Sequence, residues 1–509
     1  MDRREFLQSF ALAAVAALAG EAALSPAEAA APPAARFAFS RSALLDEARK
    51  LAAEPYQEST LDLPARFADL SYEQYREIRW KRDLTIWKDE GRGFRLEPLH
   101  TGSVYRQPVM LYLVEDGTAS RLAFNRDMFD YGPNVKPPED PKQDLAFSGF
   151  RLRRPLAEPD RWNEFATFQG ATYFKALSKG LNYGLTARGL AINTADPDGE
   201  EFPVFTRFYI ERPETGASSV IVHALLDSKS TTGVYRFTLR PGDETTIDVE
   251  LTLFPRVEIG HVGLGALNSM FLYDATNRTR FDDQRPAVHL SDGLAITTGS
   301  GERIWRPLAN PRNLQISAFV DQSPRGFALA QRRRSFAEFQ DLETRYDLKP
   351  SAWIEPVGDW GQGSVVLVEI PSESEIHENI VAYWRPKAKL PAGQEFSAAY
   401  RLHWAPGAPT NPELGVCTDT REGQGTNGTS RRFVVDFQGN MPAAGAVRLE
   451  ISASAGKILN PILRPNPVWG GFRVTFDLDT RNVPLSELRL LLTDGTKPVS
   501  ETWLYRWTP

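Results

Sequence analysis

A hydrophobic period of two, recurring through most of the chain, leaves few architectures open. Ile247, Val249, Leu251 and Leu253 alternate with Thr246, Asp248, Glu250 and Thr252, so a strand there buries one face and wets the other. Strand-like runs recur at 104–114, 205–210, 220–226 and 235–239, punctuated by Gly, Pro and Asp. No alternating βαβ units and no phosphate-cradling glycine motif are present, so a large antiparallel sandwich is predicted. Two helices precede it. Leu44, Leu45, Ala48, Leu51 and Ala52 share a helical face behind a Ser40 or Ser42 cap. Ser71-Tyr72-Glu73-Gln74 has the spacing of a capping box and opens a short helix through Ile78.

From 406 to 430 the chain carries Pro, Gly, Asn and Thr with little apolar periodicity, which predicts a linker and entry loop. Alternation then resumes at Val447, Leu449, Ile451 and Ala453, and again at Phe472, Val474, Phe476 and Leu478. Leu488, Leu490 and Leu492 lead into Asp494-Gly495, a hairpin signal, and Trp503, Tyr505 and Trp507 alternate on the return. This predicts a small immunoglobulin-like sandwich over 431–509, following a large all-β sandwich over 31–405.

Residues 1–30 are predicted to be a cleaved signal. Arg3-Arg4 precede Glu5-Phe6-Leu7, an Ala/Leu-rich run extends from Phe10 to Ala19, and Ala27-Glu28-Ala29 has the small-x-small form of a cleavage site. Paired arginines before Phe-Leu point to the twin-arginine route. The apolar run falls short of the ~20 residues that span a bilayer, so a periplasmic protein without stable membrane insertion is expected.

The formal net charge is −6 with scattered basic residues, which argues against a nucleic-acid partner. Cys417 is the single cysteine, and the six histidines form no HExxH pattern. No intrachain disulfide, metal site or cofactor is therefore expected. The 11 Trp, 29 Phe and 15 Tyr serve mainly core packing, although aromatic faces also cover the C–H faces of sugars. Nothing in the sequence specifies an oligomeric state.

Several runs carry a specific likeness: Gly170-Ala171-Thr172-Tyr173-Phe174, Tyr183 through Ile192, Ser269-Met270-Phe271-Leu272, Trp305-Arg306-Pro307-Leu308, Arg345-Tyr346-Asp347-Leu348 and Asn379-Ile380-Val381-Ala382-Tyr383-Trp384. Together they resemble the osmoregulated periplasmic glucan biosynthesis proteins G and D, over nearly the whole mature chain. The twin-arginine signal is typical of the D type, which is therefore expected. The resemblance implies a mutarotase-like supersandwich joined to an immunoglobulin-like domain. It also implies action on linear β-1,2-glucan as an endo-glucanase or transglycosylase. The alternative is a non-catalytic glucan-binding protein that presents the backbone to other enzymes.

Glycosidic cleavage needs a carboxylic acid near the leaving oxygen and a second group that activates water or attacks the sugar. The family's acid is an aspartate directly before Asn-Ile-Val, and here that position is Glu378. Glu375 is the reserve candidate. The family's second carboxylate follows the histidine of Arg-Pro-x-x-His; here Arg285-Pro286-Ala287-Val288-His289 is followed by Leu290, which neither takes a proton nor attacks carbon. Asp292, two residues along an extended strand, and His289, a base near neutral pH, are the candidate substitutes. Arg306, Tyr346, Trp353 and Trp360 are expected to shape the sugar cleft.

Overall fold

The computed structural model describes residues 36–58, 61, 63–138 and 145–509; the expected signal over 1–30 lies outside them. The molecule is built almost wholly from strands. One sheet of fifteen strands faces a second of ten. The alternating run becomes the strand Thr245–Pro255 at the middle of the larger sheet, with Ile247, Val249, Leu251 and Leu253 at most 1% exposed. Between the sheets Phe168 packs edge-on against Phe208 and Phe237, at 5.7 and 5.1 Å between ring centroids. The main core sits there.

The first helix, Arg41–Ala52, is capped by the Ser40 hydroxyl accepting from the Ala43 amide. It lays Leu44 and Ala48 on the outer face of the larger sheet, against Tyr209, Leu225 and Val234. The second, Tyr72–Glu77, has both halves of the Ser71–Gln74 capping box. The strand expected over 104–114 begins only at Met110, because the chain first turns back on itself through a Gly102–Tyr105 bridge.

The C-terminal region continues the larger sheet rather than standing apart from it. The strand Thr502–Trp507 pairs in parallel with Arg303–Pro307, Ile304 opposite Thr502 and Trp305 opposite Trp503. Ser486–Thr493 and Arg448–Ala453 follow outward. A four-stranded sheet covers them, and a second core joins Trp305 and Trp353 to Phe433, Phe476 and Trp503. Part of the expected linker is one of those four strands, Val416–Gln424, paired with Ser430–Gln438. It carries little apolar periodicity because Cys417 and Thr420 are its main core-facing side chains. Its backbone is tied instead by Glu501, which accepts from the Cys417 amide at 2.7 Å.

Candidate functional site

Against the face of the ten-stranded sheet turned away from the core lies a cavity of about 830 Å³, within the range of pockets that enclose ligand-sized molecules. The helix Tyr72–Glu77 supplies Tyr72 and Tyr75 to one wall, and Tyr105 stands 5.3 Å from Tyr75 between centroids. On another side Trp162 is covered by the Arg95 guanidinium at 3.7 Å. Rings backed by hydrogen-bonding side chains suit a ligand with apolar faces and a polar rim, as sugars have.

The floor is a cross-strand row. Glu97 stands opposite Arg151, Arg151 opposite Thr167, and Thr167 opposite Lys175. Directly opposed residues share one face of a sheet. Continuing the antiparallel register of Ala187 with Phe174 sets Thr186 beside Lys175, and Thr186 in turn faces Asn268. At that end of the row the Thr186 hydroxyl reaches the Glu378 carboxyl, 3.0 Å from Oε1 and 2.8 Å from Oε2.

Glu378 reaches this place through a firmly tied loop. The Asn379 side chain accepts from the Phe271 amide and donates to the carbonyls of Phe271 and Ile370. Ser372 and Asn310 bond each other through amide and carbonyl groups. Glu375 pairs with Arg285 at 2.7 Å, and Arg285 also holds Asp341. Opposite, the strand Val262–Ser269 is bulged between Leu264 and Leu267, with Gly265 in the left-handed region at φ 58°. The bulge realigns the strand so that Ser269 meets Ile380. No cation lies within 4.0 Å of Glu378 among the described residues. Burial pushes its carboxyl up to about 7, against the Thr186 hydrogen bond and the more distant charges of Lys175 and Arg188. Such a group is protonated over part of the physiological range and can donate.

The other sequence candidates lie in different settings. Glu375 is spent on Arg285, next to the buried Tyr346, whose hydroxyl burial pushes upward. Tyr346 packs on Phe339 in a small core with Met270, Leu272 and Val288, and Leu290 packs against that core half-buried. His289 is fully buried, stacked on Phe271 and 2.9 Å from the Gln331 amide oxygen. Burial lowers it to about 3, so it is neutral and weakly basic near pH 7, unlike the base expected there. Asp292 accepts the backbone amides of Arg332 and Arg333 at 3.0 to 3.1 Å. Burial nevertheless pushes its carboxyl upward.

Arg306 forms a buried pair with Glu369 at 3.0 Å and lies over the Tyr505 ring. Trp353 belongs to the second core. Trp360 donates to the Ala399 carbonyl and packs on Tyr400. It sits by Gly363–Pro386, the opposite end of that strand pair from Glu369–Ile380, where Glu378 enters. None of Arg306, Trp353, Trp360 and Tyr346 lines the cavity. Residues that do line it, Lys175 and Tyr105, and Thr186 beside them, carried no role in the sequence reading. Lys175 follows the Gly170–Phe174 motif and Thr186 lies within Tyr183–Ile192, so the motifs marked the site without assigning its members. Among the described residues no group of three or more His, Cys, Asp or Glu is placed to hold a metal ion.

The chain matches the family described as Periplasmic glucan biosynthesis protein, MdoG, over residues 39–507. It is 48% identical to Glucans biosynthesis protein G of Rhodopseudomonas palustris (strain BisA53) over the full length of both chains. It is 47% identical to the protein of the same name from Shewanella frigidimarina, with 92% of this chain and 85% of the relative covered. For Vibrio cholerae (strain O395) the figure is 46%, covering 92% and 87%. These relatives are named G, so the expected D type has no support. No helix among the described residues is long and apolar enough to cross a membrane.

Proposed function

This chain belongs to the periplasmic glucan biosynthesis protein MdoG family, and from that premise we propose that its groove binds linear β-1,2-glucan and that Glu378 donates the proton that releases the leaving sugar oxygen. The reaction is endo-hydrolysis or transfer to another sugar hydroxyl. One observation carries the reading: a carboxyl held by a single neutral hydroxyl, with no cation in contact, stands just beyond the cavity lining, at the end of a polar row that runs out from the floor of an aromatic-walled groove. Glutamate in place of the family's aspartate lengthens the arm by one methylene. The Asn379 and Ser372 bonds fix the loop that carries it, and reacting groups need such fixed placement.

A second reading, a glucan-presenting protein without catalysis, draws on Leu290 and on Asp292, whose carboxylate is occupied by backbone amides. Incubation with purified linear β-1,2-glucan separates the two. Shortened or redistributed chains on size-exclusion chromatography support the enzyme, and an unchanged polymer that co-elutes with the protein supports the binder.

A further inference from the structure

We infer that Glu164 is the general base of this groove, activating the attacking water opposite Glu378 in the role that residue 290 cannot fill. The inference rests on the glucan-cleaving reading above. Four acids line the cavity: Asp83, Glu97, Asp160 and Glu164. Asp83 is almost wholly exposed at the rim and pairs with Lys88. Glu97 is 7% exposed and closed off by Arg151 at 2.7 Å and Arg153 at 2.9 Å. Asp160 precedes the strand Trp162–Gln169, seven residues before Thr167, about 20 Å along the chain at strand rise.

Glu164 is differently placed. It accepts from the Thr167 hydroxyl at 2.6 Å, with Arg151 3.2 Å and Arg153 3.9 Å from its other oxygen, and it differs from Glu97 in exposure rather than in its arginines. The half-buried Tyr183 hydroxyl stands 3.1 Å from Thr167 on the same side. A carboxylate offers about four acceptor positions, so these partners orient Glu164 without filling it, and its side chain keeps 22% exposure toward the groove.

The two acids are thus hung from two threonines of one row. Glu164 is bonded to Thr167, Glu378 to Thr186, and Lys175 alone stands between them. The threonines that carry them stand two strand spacings apart, about 10 Å between backbones. Their surroundings differ in the sense such a pair requires: two arginines lie within 4.0 Å of Glu164, and among the described residues none does of Glu378.

In the step, Glu164 takes a proton from water as the water oxygen bonds to the anomeric carbon. The bond from that carbon to the leaving oxygen breaks, its electron pair stays on the oxygen, and the Glu378 proton joins it. One water is added across the bond, and the two acids regain their starting states by exchange with solvent. The product anomer is inverted.

The test uses the full chain on linear β-1,2-glucan, with product anomer read by NMR and glucan affinity read by calorimetry. Glu164→Gln is expected to lower kcat by at least about 100-fold while affinity stays within a few-fold, and first-formed products are α. Glu164→Ala with added azide, which enters the space left by the carboxylate, is expected to regain turnover; this arm decides the matter if Glu164→Gln binds poorly. Unchanged kcat in Glu164→Gln, β products, or no azide rescue overturns the assignment while leaving Glu378 and the glucan reading in place. A wild type that binds the polymer without cleaving it overturns the enzymatic reading and this base with it.

Discussion

Glu378 and Leu290 are delivered to the same end of one strand pair by comparable means. Asn379, the neighbour of Glu378, bonds the Phe271 backbone, and the Leu290 amide donates to the Met270 carbonyl one residue away. One position carries a carboxyl, with a threonine hydroxyl as its contact. At the other a leucine extends the small core around Tyr346 and Phe339. The nearby acid, Asp292, is turned into the chain as a backbone acceptor. If Glu378 is the acid, as proposed, the opposite position offers only packing, and a base is to be sought elsewhere in the groove.

The largest test of this contrast removes the acid. Glu378→Gln keeps the Thr186 hydrogen bond but has no proton to give, so turnover of β-1,2-glucan is expected to fall about 10²–10⁴-fold with binding retained. Chain-length analysis beside a binding isotherm checks it. Full activity in the variant would return both halves of the site to structural roles.

The same substitution bears on stability with a definite sign. Glu378 titrates near 7 in the folded protein against 4.5 ordinarily, so the folded state holds the proton more tightly across that window. Its contribution to stability is therefore lost as pH rises from 4.5 to 7, by on the order of 3 kcal/mol. Glutamine has no such slope. The difference in Tm between Glu378→Gln and wild type is expected to grow in favour of the variant over that window and then level off. A gap that is flat from pH 4 to 8 would mean the carboxyl is not raised, and the acid half would lose its distinguishing feature.

Leu290→Asp tests the packed half. A carboxylate set against Met270, Leu272 and Tyr346 is expected to cost about 1–3 kcal/mol of stability, read by denaturant unfolding, and to change hydrolysis only a few-fold if Glu164 already serves as base. A 100-fold rise would place the base role at residue 290 and withdraw it from Glu164.

Much of this arrangement was legible in advance, and the rest hid for physical reasons. Ile247–Leu253 announced a strand because one face is buried and the other is not, and Ser40 and Ser71 announced helices because their caps are local. The Asn379-Ile380-Val381 motif singled out the preceding Glu378 as the candidate acid. Val416–Gln424 was hidden because it is fixed by Glu501, far along the chain, rather than by its own apolar residues. Trp353 and Arg306 looked like cleft residues by type. They are consumed where the C-terminal strands join the larger sheet, a contact that no local pattern reports. Glu164 carries no motif, and its meaning arises only when Thr167, Lys175 and Thr186 come side by side from three strands.

The smallest expected effect concerns Asp292. Its Oδ2 accepts both the Arg332 amide, at 3.0 Å, and the Arg333 amide, at 3.1 Å. The amide oxygen of asparagine can make the same two bonds. Burial penalises the charge that asparagine lacks, and attraction to Arg333 favours it, so the two changes oppose each other. Asp292→Asn is therefore expected to shift stability by no more than about 1 kcal/mol and to leave glucan turnover within about twofold, since no proton need move to or from this group. Thermal unfolding and chain-length assays on one preparation check both. If turnover collapses while the unfolding curve stays put, Asp292 is taking part in the reaction, and the half of the site assigned to packing holds the base after all.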